Sequence, residues 1–419
     1  MINFLLMVAG ASAKLFSPST MKLSRRSFLS SVSLAAVASA TSHASSVSRT
    51  AKNSNNYFDP WIEVDKKALL QNVQTVSALA KSRPVIAVVK NNAYGLGLEY
   101  AGPILENSTS VVALAVVKTD ECFTLLKAGV KKPIMLMALP NSEQDEFELV
   151  RNGVQLCVFD KDCRKRLESY ASKMGTRIKV HAYIDTGMSR IGRRFNQAGP
   201  WLSELTASRS IEVVSTFTDL TEDNAYDLEQ VDRLKKVVLQ TPSLNCKLHA
   251  ASSYHAFHAP NTHLDWIRPG MALFGGYPDE ARESQGKLVP SCRLKARVVR
   301  VEQLQKGDSV SYGRKFIAEQ PTWIATLPVG HTDGYPRQAV KGARVLIGNE
   351  TYPVIGAVSA SHTIVNLGDE RKVNEGDTAI FLGPDHPDIH PNRVAEIAGV
   401  SVYDIYMHLN PLIPKFILE

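Results

Sequence analysis

Short apolar runs alternate with helix-patterned stretches over a little more than two hundred residues, and this alternation constrains the fold more than any other feature of the chain. Eight runs have the length and composition of buried strands: Val85–Val89, Val111–Val116, Pro133–Met137, Val154–Phe159, Ile178–Ile184, Ile211–Thr216, Cys246–Ala250 and Ile267–Phe274. Stretches with helical periodicity lie between them, several opening with the Asp or Asn that favours a helix N-terminus: Asp120–Ala128, Asp160–Ser172 and Asn224–Val238. This order predicts an α/β fold of the (β/α)8 TIM-type barrel class. A doubly wound open sheet is the alternative, but no G-x-G-x-x-G motif follows the first strand to support it.

After Gly276 the pattern changes, because the apolar runs are separated by Gly, Asp, Asn and Pro with little room for helices. These runs are Arg293–Val301, Ser309–Phe316, Thr322–Leu327, Ala343–Gly348, Tyr352–Val358, Thr363–Leu367 and Thr378–Phe381. The sequence therefore predicts an all-β C-terminal domain at residues 286–419. It follows a barrel at residues 59–285, whose first strand can join the β domain.

The N-terminal segment has the features of an export signal. Arg25 and Arg26 precede a run of apolar and small residues that contains candidate cleavage sites. We predict a twin-arginine signal peptide at residues 1–44, a flexible linker at residues 45–58 and a periplasmic location. A retained membrane anchor is the alternative, but the apolar run is too short and too rich in serine to span about 30 Å of hydrocarbon. Met21 is an alternative start that preserves a complete signal.

The charge balance excludes one class of partner. The chain has 48 Lys and Arg against 41 Asp and Glu, a formal charge of +7. Four of these cations lie in the predicted signal peptide, so the remainder is nearly balanced. A nucleic-acid-binding protein would need a basic stripe or patch, and we expect no nucleic-acid partner and no stable membrane association after cleavage.

Cysteine spacing gives no indication of a metal site. None of the five cysteines forms a C-x-x-C pair, so we expect no structural zinc and no other metal. In an oxidising compartment one or two disulfides are possible, although buried free cysteine is the commoner state in a chain with a large core. The residues concerned are Cys122, Cys157, Cys163, Cys246 and Cys292.

The residues that end the apolar runs are the functional candidates, because a barrel of this class carries its active site at the carboxyl ends of its strands. Lys90 directly continues the first run. It is either exposed at the strand end or desolvated, and a desolvated lysine is the neutral amine that covalent chemistry with a carbonyl needs. Residues 185–190 follow the fifth run, residues 249–253 follow the seventh, and residues 268–270 belong to the eighth. A serine hydroxyl and glycine amides after strands seven and eight are where such barrels hold phosphate.

The chain contains six motifs that resemble those of the alanine racemase family of pyridoxal-phosphate enzymes: VVKNNAYGLG, DTGMSRIG, HAASSYH, IRPGMALFG, VSYGRKF and DGYPR. The resemblance extends from about Trp61 to the C-terminus, covers both predicted domains, and is nearest in type to the exported broad-specificity amino-acid racemases. It implies a (β/α)8 barrel with a C-terminal β domain, pyridoxal phosphate as cofactor, and a homodimeric isomerase that acts on free amino acids.

The resemblance also assigns roles to residues. Lys90 matches the lysine that holds the cofactor as a Schiff base and serves as one catalytic base. Tyr312 matches the second base, on the opposite face of the cofactor, which in this family comes from the partner subunit. Arg190 matches an arginine near the phenolic oxygen and the substrate carboxylate, and Arg268 matches the arginine that faces the pyridine nitrogen. The other positions that match cofactor-binding residues, largely around the phosphate, are Tyr94, His249, Ser253, Gly270 and Met271.

The implied chemistry explains these residue types. Racemisation removes the α-proton from one face and returns a proton to the other, so two bases on opposite faces suffice. An amine and a phenol both have ordinary pKa values near 10, so both pKa values must be lowered for the groups to act as bases. An arginine at the pyridine nitrogen keeps its own proton, which limits the electron sink and suppresses side reactions.

Several positions depart from the family pattern. Phe217 stands where the family has a histidine, and Tyr183 where many members have a carbamylated lysine. Ala360 and Ser361 replace a methionine and an aspartate, and Pro411 replaces a tyrosine. The candidate substrate-binding residues are Arg190, Ala360, Ser361 and Pro411.

These losses of bulk predict a pocket that admits side chains longer than that of alanine. An alanine-specific racemase is the nearest alternative. An amino-acid decarboxylase on the same plan and a catalytically impaired cofactor-binding protein are the others, although Tyr312 in VSYGRKF favours a racemase.

Overall fold

The computed structural model describes residues 59–242, 244–278 and 287–419. The predicted signal peptide and linker lie outside these residues. Within the described ranges no helix is both long enough and apolar enough to cross a membrane. All five cysteines are unpaired, and the described part of the chain contains no cluster of His, Cys, Asp and Glu that could hold a metal ion.

The barrel is built from parallel strands that follow β1 (Trp61–Asp65), which itself belongs to the C-terminal sheet. The next strands along the chain are β2 (Val85–Val88), β3 (Val111–Val116), β4 (Ile134–Leu136), β5 (Gln155–Val158), β6 (Ile178–Asp185), β7 (Arg193–Arg194), β8 (Ile211–Phe217) and β9 (Lys247–His249). Their spatial order is β2-β3-β4-β5-β6-β8-β9, with the short β7 beside β6. Parallel bridges from Val85 to Ile267 and from His249 to Trp266 join the two ends of this sheet and close the barrel.

The strands are connected by helices, most of which bury one face, and by the five-residue α2 (Lys90–Tyr94), in which four residues have positive φ. These are α1 (Lys66–Leu79), α2 (Lys90–Tyr94), α3 (Leu98–Glu106), α4 (Thr119–Lys127), α5 (Glu143–Arg151), α6 (Cys163–Met174), α7 (Phe195–Thr206), α8 (Asn224–Leu239) and α9 (Ser253–His258). The predicted helix at Asn224–Val238 agrees with α8 to within one residue. Its start is fixed by Asp223, whose carboxylate accepts hydrogen bonds from the N–H groups of Ala225 and Tyr226.

The predicted eighth strand ends early. Ile86 N–H donates to Ile267 O and Val88 N–H donates to Pro269 O, so pairing with β2 stops at Pro269. Residues Met271–Phe274 instead form a buried 3-10 helix. A short helix that is buried on all sides has the same continuous apolar composition as a buried strand, which is why the run did not reveal the change.

The C-terminal sheet has the order β11-β14-β17-β16-β15-β18-β10-β1-β19. Its pairs are antiparallel except for β1 with β19. The strands of this domain are β10 (Cys292–Arg297), β11 (Arg300–Leu304), β12 (Ser309–Val310), β13 (Phe316–Ile317), β14 (Thr322–Leu327), β15 (Arg344–Ile347), β16 (Glu350–Ile355), β17 (Thr363–Gly368), β18 (Thr378–Leu382) and β19 (Lys415–Leu418). Helices α10 (Pro391–Ala398) and α11 (Val402–Met407) precede the last strand.

Two predicted strands of this domain are wrong, because each of them is two shorter strands in the structure. Arg293–Val301 divides into β10 and β11, because the strand is interrupted at Val298 and Val299 and the two parts pair with different strands. Ser309–Phe316 is a small hairpin of β12 and β13, and Tyr312 lies in the turn between them. The hairpin carries the predicted second base on a turn and not within a strand.

Candidate active site

A cavity of about 510 Å³ opens at the carboxyl ends of the barrel strands. It brings together six of the sequence-predicted site residues, which are Lys90, Tyr94, Arg190, Ser253, Arg268 and Gly270. His249 and Met271 are fully buried next to this group. The predicted cofactor-binding residues therefore lie around one cavity.

Lys90 projects from a turn of unusual backbone conformation. Asn91, Asn92, Ala93 and Tyr94 all have φ between 52° and 56°, the left-handed region, where each L-residue costs about 1–2 kcal/mol. Glu121 compensates by accepting a hydrogen bond from Asn92 N–H at 3.0 Å. A tertiary contact thus holds this strained turn, which directly follows the lysine two residues after β2.

The Lys90 amine is half-buried and surrounded by charges. Burial lowers its pKa, and the guanidinium of Arg190 lowers it further, as does Arg268 to a smaller extent. Asp219 and Glu121 act in the opposite direction without restoring the ordinary pKa. The environment therefore favours the neutral amine, the form that attacks a carbonyl or accepts a proton.

Ser253 and Gly270 form a small polar cradle. The Ser253 Oγ accepts hydrogen bonds from Gly270 N–H at 3.0 Å and Ala272 N–H at 3.2 Å, so the hydroxyl hydrogen is left to donate elsewhere. A Cβ built on Gly270 would lie 2.0 Å from the Tyr94 hydroxyl oxygen. The absence of a side chain on Gly270 therefore lets the Tyr94 hydroxyl approach its backbone, and brings this hydroxyl and that of Ser253 to the same part of the cavity.

Arg268 is fixed by a buried hydrogen-bonded chain. Its Nη1–H donates to His249 Nδ1 at 2.6 Å, which requires a lone pair on that nitrogen because arginine always carries its protons. His249 Nε2–H must then donate to Ser215 Oγ at 2.7 Å, and Ser215 to His181 Nδ1 at 2.6 Å. The chain ends where His181 Nε2–H donates to Gln155 Oε1 at 2.8 Å.

The protonation states agree with this direction. Burial, assisted by the charge of Arg268, lowers the pKa of His181 to about 3 and that of His249 well below its usual range. Both imidazoles are therefore neutral near pH 7. A cationic Arg268 that is held from inside the barrel can present its charge to a group bound in the cavity.

Phe217, one of the departures from the family pattern, lies in a stack of rings in the barrel interior. Its ring is 4.3 Å from that of Tyr183 and 4.9 Å from that of His249, measured between centroids. The Arg268 guanidinium lies 4.9 Å from the Phe217 centroid, within cation–π range. Phe217 therefore supports Arg268 through its ring face and offers it no hydrogen bond.

Tyr312 lies away from this cavity. Its side chain is 78 % exposed and lines a separate cavity of about 260 Å³ together with Lys315 and Arg337. The preceding Ser311 has φ 65° and ψ −175°, a region that is essentially restricted to glycine. Strain of this kind in a non-glycine residue is found mostly at functional sites, and here it lies directly before the exposed tyrosine.

The three candidate residues for the substrate side chain are also exposed. Ala360 O accepts hydrogen bonds from the N–H and the hydroxyl of Thr332. Asn410 Nδ2–H donates to Thr332 O, and Asn410 precedes Pro411. Thr332 thus links the loop of Ala360 and Ser361 to that of Pro411, at a surface separate from the residues that line the Lys90 cavity.

Sequence reasoning missed Asp219, which also lines the Lys90 cavity. Its carboxylate accepts hydrogen bonds from Arg268, from Arg190 and from the hydroxyl of Tyr183. Burial opposes its ionisation, yet Arg268, Tyr183 and Arg190 together hold the pKa of the carboxyl below its usual value. Asp219 follows β8, so the rule that active-site residues end the strands was sufficient to find it.

The residues of the cavity fit pyridoxal phosphate. Ser253 and Gly270 form a cradle for the phosphate, and Lys90 is an amine within the same cavity that can bond to the aldehyde carbon. Arg268 is a permanently protonated group beside them. Among the described residues, no acidic side chain lies in the Ser253–Gly270 cradle, so no negative charge there would repel a phosphate.

Comparisons with known proteins agree with this geometry. The family model for the alanine racemase N-terminal domain matches residues 64–278, and the model for the alanine racemase C-terminal domain matches residues 291–417. An alanine racemase of Clostridium perfringens is 34 % identical over 366 residues, which are 85 % of this chain and 94 % of that protein. Alanine racemase 1 of Clostridium acetobutylicum is 31 % identical over 371 residues, 86 % of this chain and 95 % of that protein.

Solved structures share the fold. The alanine racemase of Clostridium difficile 630 has a TM-score of 0.78 at 24 % identity, covering 86 % of this chain and 96 % of that chain. An alanine racemase from Bartonella henselae with covalently bound pyridoxal phosphate has a TM-score of 0.74 at 23 % identity, covering 86 % and 99 %. The predicted barrel with its C-terminal β domain is confirmed.

Proposed function

The chain belongs to the alanine racemase family, and we propose that it racemises free amino acids of several sizes by a two-base mechanism with Lys90 and Tyr312. Members of this family are isomerases that use pyridoxal phosphate. The observation that carries the proposal is that Lys90, the Ser253–Gly270 cradle and Arg268 all line one cavity.

The chemistry divides between the cofactor and the protein. When bound, pyridoxal phosphate supplies an electron-withdrawing system that acidifies the α-hydrogen of an attached amino acid. Lys90, with its lowered pKa, can accept that proton on one face as a neutral amine. Arg190 offers a cation for the substrate carboxylate, and Arg268 keeps its own proton and so limits side reactions.

A proton must also be exchanged on the opposite face, and we assign this to Tyr312 of a partner subunit in a homodimer. A residue that is 78 % exposed and absent from the described lining of its own chain's Lys90 cavity needs a second chain to reach such a site. Closed two-fold dimers are the commonest homo-oligomers, and they would give each cavity one Tyr312.

Breadth of specificity is supported by small side chains at the candidate substrate-binding positions. Ala360, Ser361 and Pro411 are absent from the described lining of the Lys90 cavity of their own chain, so, like Tyr312, they would reach a site from the partner subunit. There they would offer little bulk and no charge. A site without large groups at these positions discriminates weakly against longer side chains, since one methylene changes discrimination by only about 1–3 kcal/mol. Alanine-specific racemisation is the second candidate, favoured by the names of the curated relatives.

We also propose export to the periplasm. The support is the sequence of the predicted signal peptide, with Arg25 and Arg26 before an apolar run. A route that exports folded proteins would suit an enzyme that acquires its cofactor before export.

Exchange in deuterium oxide tests the reaction type. We expect the loaded protein to place deuterium on the α-carbon of L-alanine and of longer L-amino acids, with loss of optical rotation. Release of carbon dioxide would instead indicate a decarboxylase. Cofactor binding with neither exchange nor release would indicate a catalytically impaired protein. The Lys90→Ala variant, loaded in the same way, measures the background exchange of deuterium that the protein does not catalyse.

A further inference from the structure

Two arginines of the cavity share the carboxylate of Asp219. Its Oδ1 accepts a hydrogen bond from Nη2 of Arg268 at 2.6 Å. Its Oδ2 accepts one from Nη2 of Arg190 and another from the hydroxyl of Tyr183, the latter at 2.5 Å. One carboxylate therefore bridges the arginine that is deep in the barrel and the arginine at its mouth.

The two arginines are held to different degrees. The Arg268 side chain is only 4 % exposed, and its guanidinium also donates to His249 and to Thr218 O. The Arg190 side chain is 62 % exposed, and its guanidinium contacts the Asp219 carboxylate and, more weakly, the Tyr183 hydroxyl on the protein side. Loss of the carboxylate would leave Arg268 in place and remove the charged partner of Arg190, which would keep only the Tyr183 hydroxyl.

Electrostatics acts in the same direction. With Asp219 ionised, these three groups carry a net charge of +1. Without it, two guanidiniums would face each other across a partly desolvated cavity, where repulsion is stronger than in water. The exposed Arg190 is the one free to move toward solvent, away from the position at which it could bind a ligand in the cavity.

We infer that Asp219 is a positioning residue, which holds Arg190 over the cavity so that its remaining N–H groups receive the substrate carboxylate. The inference rests on the proposed function, because the carboxylate is that of the amino-acid substrate. Arginine recognises carboxylates through fixed N–H directions, and those directions are useful only while the guanidinium is anchored.

The test uses Asp219→Asn, which keeps the size of the side chain and removes its charge, and Asp219→Ala. The primary measurement is the Kd of propionate, a carboxylate without an amine, for the protein loaded with pyridoxal phosphate, by calorimetry. We expect propionate to bind at least about tenfold more weakly to both variants, the loss of one charge-assisted interaction. KM for the amino acid should rise by a similar factor while kcat changes less than about threefold, since Arg268 and Lys90 stay in place.

Two matched variants separate the charge from general damage. Tyr183→Phe removes a hydroxyl that contacts both Asp219 Oδ2 and Arg190 and leaves the carboxylate. Because the charged anchor remains, its effect on the Kd of propionate should be smaller than that of Asp219→Asn. Glu146→Gln removes a carboxylate from a buried pair with Arg166, 2.9 Å apart and unconnected with the cavity. It should lower the urea unfolding midpoint and leave the Kd of propionate unchanged.

Propionate affinity within twofold of wild type in Asp219→Asn overturns the inference. So does tighter binding, which would mean that Asp219 competes with the ligand for Arg190. The propionate measurement does not depend on turnover. If the wild-type protein racemises no amino acid, the proposed function fails while the comparison of propionate affinities still decides the role of Asp219.

Discussion

Gly270→Ala adds a single methyl group to the cradle that we assign to the cofactor phosphate. The new Cβ would lie 2.0 Å from the Tyr94 hydroxyl oxygen and 2.8 Å from its Cζ. Tyr94 cannot yield, because it is buried and its ring packs 5.1 Å from Phe274 and 6.1 Å from Tyr403. Gly270 has φ −121° and ψ −88°, so the substitution does not place a side chain in the left-handed region.

The magnitude follows from how the clash is relieved. Extra methyl groups in a packed site cost about 1–3 kcal/mol. The available response is a shift of the Gly270 backbone, which lengthens the 3.0 Å hydrogen bond from its N–H to Ser253 Oγ and distorts the cradle. Since 1.4 kcal/mol is a factor of ten in Kd, we expect the variant apoprotein to bind pyridoxal phosphate about 10–100-fold more weakly.

Titration of apoprotein with pyridoxal phosphate, followed by absorbance, measures this loss. Gly199→Ala in α7 is the matched control, because its Cβ would also lie 2.0 Å from a neighbour. That neighbour is Oε1 of Gln240, the end of an exposed flexible side chain that can move away. If Gly270→Ala binds the cofactor as tightly as Gly199→Ala does, the cradle does not hold the phosphate.

Three further predictions concern the proposed reaction. Lys90→Ala should abolish both racemisation and the covalent attachment of cofactor that borohydride reduction followed by mass spectrometry detects; an active variant would contradict the role of Lys90. Mixing Lys90→Ala with Tyr312→Phe protomers should restore up to about a quarter of wild-type activity, since a two-fold hybrid has one site with both bases intact. No recovery despite proven subunit exchange would place Tyr312 in its own chain's site. Across a panel of L-amino acids, kcat/KM for alanine should not exceed that for every longer substrate by more than about a hundredfold, and a larger excess would refute the wide pocket.

The barrel was predictable because its strands are buried on both faces and therefore read as continuous apolar runs. The same reasoning identified Lys90, since an ionisable residue directly after such a run must be either solvated or used. Helix α8 was also predictable, because Asp223 caps it and its apolar positions recur with helical spacing.

Features that depend on contacts between distant residues were not predictable. The left-handed turn after Lys90 is held by Glu121, a partner in another helix, and no local signal requires four successive residues with positive φ. The helix at Met271–Phe274 was hidden by its complete burial. Arg190 and Arg268 both bind the carboxylate of Asp219, and this contact depends on loops that only the closed barrel brings together.

Phe217 leaves Arg268 without a hydrogen-bonded connection toward the proposed second base, Tyr312. Arg268 is oriented from within one chain, by His249, by Asp219 and by the face of the Phe217 ring. A phenyl ring has no hydrogen-bonding atom, so no proton can pass from Arg268 through residue 217 to a tyrosine that approaches from a partner. The charged groups nearest Tyr312 within its own chain are then the relevant ones, and two cations line the same small cavity: Lys315, in the hairpin, and Arg337, in the segment after β14. Under the proposed mechanism, substitutions around Arg268 should therefore alter the binding of the cofactor and leave the proton transfer assigned to Tyr312 unchanged.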